Sequence, residues 1–137
     1  MDNHYQLSDD AFLNQFQTCK LPEALFDHEA HLRLAWLHIS KYGPKQAIQN
    51  VSDQILRYTQ HLGAEDIFHK TVTVAAVKAV HHFMEKAKSE TFADFIAEYP
   101  RLKTNMMDLL AQHYSFNIFQ NDEARQRFLE PDIAPFD

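Results

Sequence analysis

Glycine is almost missing: Gly43 and Gly63 are the only two in 137 residues. No glycine-rich phosphate loop and no G-x-G-x-x-G dinucleotide turn can be written with them. A fold of many tight hairpins is disfavoured on the same ground. Cysteine is scarcer still. A lone Cys19 excludes an internal disulfide, a thiolate zinc cluster and an iron–sulfur cluster held by one chain. Its only charged sequence neighbour is Lys20, too little electropositive setting to mark a nucleophile. No stretch approaches the roughly 18 consecutive apolar residues of a membrane span, and the first ten residues are polar and acidic, unlike a secretory signal. Basic charge is also short. Thirteen Lys and Arg face 19 Asp and Glu, for a formal charge of −6, and no basic stripe or basic–aromatic interleaving compensates. That balance argues against nucleic acid and membrane as partners, and a cytoplasmic setting is expected.

With 45% hydrophobic and 23% charged residues, the rest of the composition is that of a globular domain, and the length suits one core. Residues 1–137 are therefore expected to form a single all-α domain: a bundle of about five to seven helices around a four-helix core. Ser8 resembles an N-cap followed by acids, with Leu7 placed to staple against Phe12. A second helix runs to about Tyr42, entered either at Pro22 or after an Asp27 N-cap. Its apolar stripe of Leu32, Ala35 and Ile39 leaves a narrow polar edge at Glu29, Arg33 and Ser40, so it should lie at the centre. Gly43-Pro44 breaks that helix and opens a third, which Gly63 closes. A fourth is expected over about 66–87, with Val72, Ala76, Val80 and Phe83 inward. A short helix over 92–99, one over about 101–113 and one near 122–128 complete the set. From about residue 129 the proline-containing tail should lie extended.

Nine histidines are many for this length. His28 and His31, three apart, share a helix face, and His69 falls on the stripe of Val72, Thr73 and Ala76. Short connections make the second and fourth helices parallel, which brings the three imidazoles to one end of the bundle. A returning sixth helix would add His113 and Tyr114 as a fourth ligand or a pocket donor. Three imidazoles with an open position suit zinc chemistry, or iron, nickel or copper, with Thr73 orienting a ligand or water. The alternative use of Thr73 is a bond to the carbonyl of His69. His38 reads as polar edge, His81 and His82 as surface, His61 as a helix C-terminal cation, and His4 as part of a fraying end. Lys70 and Arg33 read as a solvated face.

Two segments carry a resemblance. Phe26-Asp27-His28-Glu29-Ala30-His31-Leu32-Arg33-Leu34-Ala35-Trp36 resembles the F-x-H-x-x-H-L-x-x-A-W signature of a group of short, uncharacterised bacterial helical proteins. Phe68-His69-Lys70-Thr71-Val72-Thr73 is similar to their aromatic-H-x-T-hydrophobic-T segment, and Leu129-Glu130-Pro131-Asp132-Ile133 to their Pro-Asp tail. The resemblance implies that His28, His31, His69 and Thr73 act together, and supplies no activity. A looser architectural likeness to DinB-type metal-binding four-helix proteins implies thiol-dependent transfer or hydrolysis, although the histidine spacing differs from theirs.

Two function classes follow. One is a small metal-dependent enzyme (hydrolase, transferase or oxygenase) acting on a small molecule through His28, His31 and His69. The other is a metal-free helical module that binds a ligand or another protein. A homodimer is compatible with either.

Overall fold

A computed structural model describes residues 3–136; Met1, Asp2 and Asp137, which the single-domain expectation included, lie outside them. The described residues are helical and contain no strand. Eight α-helices follow in order: α1 Asp9–Gln17, α2 His28–Tyr42, α3 Pro44–His61, α4 Lys70–Met84, α5 Phe92–Glu98, α6 Arg101–Thr104, α7 Met106–Ala111 and α8 Asp122–Gln126. None is long and apolar enough to cross a membrane.

The ends of these helices follow from their capping residues. Ser8 and Asp27 accept from Ala11 N and Ala30 N and open α1 and α2, each satisfying one of the backbone donors a helix start leaves unpaired. Of the two possible entrances to α2, the structure uses Asp27. Gly43, at φ 84, turns the chain from α2 straight into Pro44 at the first position of α3, where a missing N–H costs nothing. Gly63, at φ 70, releases the chain after α3.

α2, α3 and α4 pack mutually and form the centre. Leu32, Leu34, Ala35 and Ile39 of α2 meet Ala47, Val51 and Ile55 of α3 and Ala75, Val77 and Val80 of α4 in one continuous core. The short helices close the sides, with α6 against α2 and α7 and α8 against α4.

Four expectations are corrected. The fourth helix begins at Lys70, later than 66, because residues Glu65–Ile67 form a 3₁₀ turn and His69 is the N-cap. It also ends at Met84. The single helix expected over 101–113 is two, broken at Asn105 with φ −144 and ψ 30. And Arg33, read as polar edge, is buried. Its guanidinium donates to the carbonyls of His4 at 2.6 Å and Leu7 at 2.9 Å and to Asp9 Oδ1 at 2.8 Å, over the face of Phe12. His4, expected to fray, is fully buried beside it, with Nε2 3.0 Å from Glu29 Oε1.

Residues after α8 run without regular structure along the molecule. Thr71 Oγ1 donates to Arg127 O and accepts from Leu129 N, while Tyr114 donates to Leu129 O. Ile133 N reaches His113 O, and Phe136 is buried at the end.

Candidate functional site

The parallel course of α2 and α4 brings His28, His31, His69 and Thr73 to the wall of one cavity. Its volume is about 280 Å³. Phe26, Leu32 and Ala35 line one side, Val51, Ile55 and Tyr58 a second, and Phe68, Val72 and Ala76 the third. Glu23 is the single acidic side chain in the lining, and neither Lys nor Arg contributes.

The three imidazoles have different duties. His69 caps α4: its Nδ1 accepts from Val72 N at 3.1 Å, and its Nε2–H donates to Ile118 O at 2.8 Å. Both ring nitrogens are thus engaged by backbone, which fixes the tautomer and ties the start of α4 to the segment before α8. His28, at the first position of α2, donates from Nε2 to Leu102 O at 3.1 Å. That bond joins α2 to α6 and leaves Nδ1 over. His31 differs from both. Its ring stacks on Phe26, with centroids 3.9 Å apart and planes 25° from parallel, and no hydrogen bond from the described residues reaches its nitrogens. Burial pushes its pKa down, with the neighbouring His28 adding to the effect against a smaller opposing pull from Asp27, to about 4. At neutral pH it presents one N–H donor and one acceptor nitrogen to the cavity.

Phe26 is held in turn. It follows a 3₁₀ turn, Glu23–Leu25, and packs its ring on Phe16 at 4.5 Å and against Tyr58 at 5.3 Å. Tyr58 donates to Leu21 O at 2.7 Å. The ring on which His31 stacks is therefore itself packed against Phe16 and Tyr58. Thr73 does not make the side-chain bond to the His69 carbonyl that is its alternative use. That carbonyl accepts the backbone N–H of Thr73 at 3.0 Å, and no hydrogen bond among the described residues engages the hydroxyl of Thr73, whose side chain lines the cavity.

A three-imidazole metal centre does not fit this arrangement as it stands. A ligand nitrogen must offer its lone pair to the ion. His69 has one nitrogen accepting an amide proton and the other carrying a proton. Among the described residues no group of three or more His, Cys, Asp or Glu side chains is placed to hold a metal. His113 and Tyr114 stand elsewhere. His113 donates from Nδ1 to Ala134 O at 2.8 Å and packs on Phe136, lining a separate depression with His82 and Arg101. Tyr114 is a buried anchor for the tail. α6 and α7 are separated at Asn105, and neither His113 nor Tyr114 lines the cavity.

Sequence reasoning missed Tyr58, Thr59 and Phe26 as lining. The stripe of Val51, Ile55, Tyr58 and Leu62 on the third helix was available to find the first. Phe26 lies outside a helix, where periodicity says nothing. His38 is also corrected, since it is buried rather than on a polar edge. The chain matches no family model, no curated protein and no solved structure.

Proposed function

We propose that this protein binds a small, neutral, mainly apolar molecule in the cavity between α2, α3 and α4, without a metal. His31 and Thr73 supply the polar contacts. The observation that carries this reading is His31: an unpartnered imidazole, stacked on Phe26, at the wall of a mainly apolar space. Binding sites for small molecules are mostly apolar with a few fixed polar groups, and an imidazole whose pKa lies near 4 acts there as donor and acceptor, not as a cation. The lack of Lys and Arg in the lining disfavours an anionic guest, since a buried carboxylate needs a partner charge. An apolar cavity of roughly 150 Å³ accepts benzene, so 280 Å³ has room for one substituted ring.

Calorimetric titration with phenol, indole and toluene tests this. Phenol and indole should bind saturably, about tenfold more weakly in His31→Leu, whereas toluene should be indifferent to that change. Ala76→Phe, which fills the cavity, should abolish all three. No saturable heat from any probe, or binding untouched by Ala76→Phe, overturns the proposal.

A further inference from the structure

The depression lined by His113 carries a charge unlike that of its surroundings. It measures about 290 Å³ and is shaped by α4, the start of α6, the end of α7 and the tail. The chain as a whole has a formal charge of −6. The His31 cavity includes Glu23 in its lining, a groove along α1 includes Asp10, and a third beside Arg125 includes Glu65 and Asp66. Here the ionisable lining, among the described residues, is Arg101, His82 and His113 alone.

These basic groups arrive from separate elements. Arg101 opens α6 and is exposed, and among the described residues its guanidinium meets neither a carboxylate nor a carbonyl. His82 comes from the last turn of α4, its ring edge-on to Phe83 with centroids 5.4 Å apart. His113 is held in place. Its ring packs on buried Phe136 at 4.2 Å, and its Nδ1–H donates to Ala134 O at 2.8 Å, so Nε2 is the nitrogen left over. Phe83, Leu109, Pro135 and Phe136 give the space apolar walls.

We infer that this depression binds a small monocarboxylate carried on an apolar body the size of one ring. Arg101 takes the carboxylate through its paired N–H donors, and the apolar walls cover the body. One permanent cation matches one negative charge, and such walls disfavour a bare polyanion. The guest also draws a proton on to His113 Nε2, since an adjacent anion favours the charged imidazole. The ionisable groups that line the space with His113 are His82 from α4 and Arg101 from α6, while Pro135 and Phe136 of the tail add none. The site is separate from the His31 cavity, and neither needs the other.

Calorimetric titration near neutral pH, in about 0.15 M salt to screen loose surface attraction, tests it with benzoate, phenylacetate, benzyl alcohol and benzylamine. At least one of the two acids should bind saturably, with proton uptake read as a heat that varies with the ionisation enthalpy of the buffer. Benzyl alcohol should bind at least about tenfold more weakly, and benzylamine not at all. Arg101→Gln, at an exposed position, should weaken the acid at least about tenfold, and Ala76→Phe in the other cavity should leave it unchanged. Asp137→Asn, which removes the acid next in sequence to Phe136, should alter the affinity by less than a factor of about three. No saturable heat from either acid at about 50 mM, far above a millimolar constant, overturns the inference. So do equal affinities in wild type and Arg101→Gln, a heat that is the same in every buffer, or a gain of about tenfold in Asp137→Asn, which marks a place already taken by the chain's own acid.

Discussion

His31 and His69 look on to the same cavity, yet their environments assign them opposite work. His69 spends both nitrogens on backbone groups, Val72 N and Ile118 O, and so belongs to the frame. His31 spends neither and belongs to the guest. Replacing His69 by Ala should destabilise the fold by about 1–2 kcal/mol, the usual worth of an N-cap. His69→Asn, which keeps a capping side chain, should recover roughly half of that in urea melts. The two low pKa values also predict how stability depends on pH. His31 and His38 titrate near 4 in the folded chain and near 6.5 when unfolded. Between those values the unfolded state binds more protons, so stability rises with pH from about 4 to 6.5 and levels off above. Each contributes at most roughly 3 kcal/mol. Chemical denaturation at a series of pH values should show that slope, and His31→Phe should reduce it.

Among the elements, the N-terminal segment is the one whose anchoring is least obvious from sequence. Arg33 holds His4, Leu7 and Asp9 against α2 through three charge-assisted bonds. Arg33→Met should cost about 2–3 kcal/mol and raise amide exchange over residues 4–9, while α3 and α4 stay protected. Nothing in a helical wheel reveals this, because Arg33 occupies a polar position on α2 and its partners come from 24 to 29 residues away. Local signals were readable where the cause is local. The Ser8 cap, the Gly43-Pro44 corner and the order of the three long helices all follow from adjacent residues. The start of α4 did not, since a histidine serving as its own helix's N-cap carries no compositional mark. Nor did the break at Asn105: Thr104 and Asn105 are weak helix formers, but stronger formers flank them on both sides.

For the molecule as a whole, topology was legible and bonding was not. Short connections predicted that α2 and α4 run parallel, and that suffices to place His28, His31, His69 and Thr73 on one cavity. What those side chains bond to depends on carbonyls of Leu102 and Ile118 contributed by distant turns, and spacing on a helix is silent about them. The central claim is this division of labour among three imidazoles. Long-range ¹H–¹⁵N spectra of the histidine rings, recorded during one titration with indole and another with Zn²⁺, test it most directly. The account predicts that indole shifts the ring nitrogens of His31 alone, that His69 keeps the pattern of a proton on Nε2, and that Zn²⁺ moves none of the three together. Coordinated, stoichiometric shifts of His28, His31 and His69 on adding Zn²⁺ would contradict it.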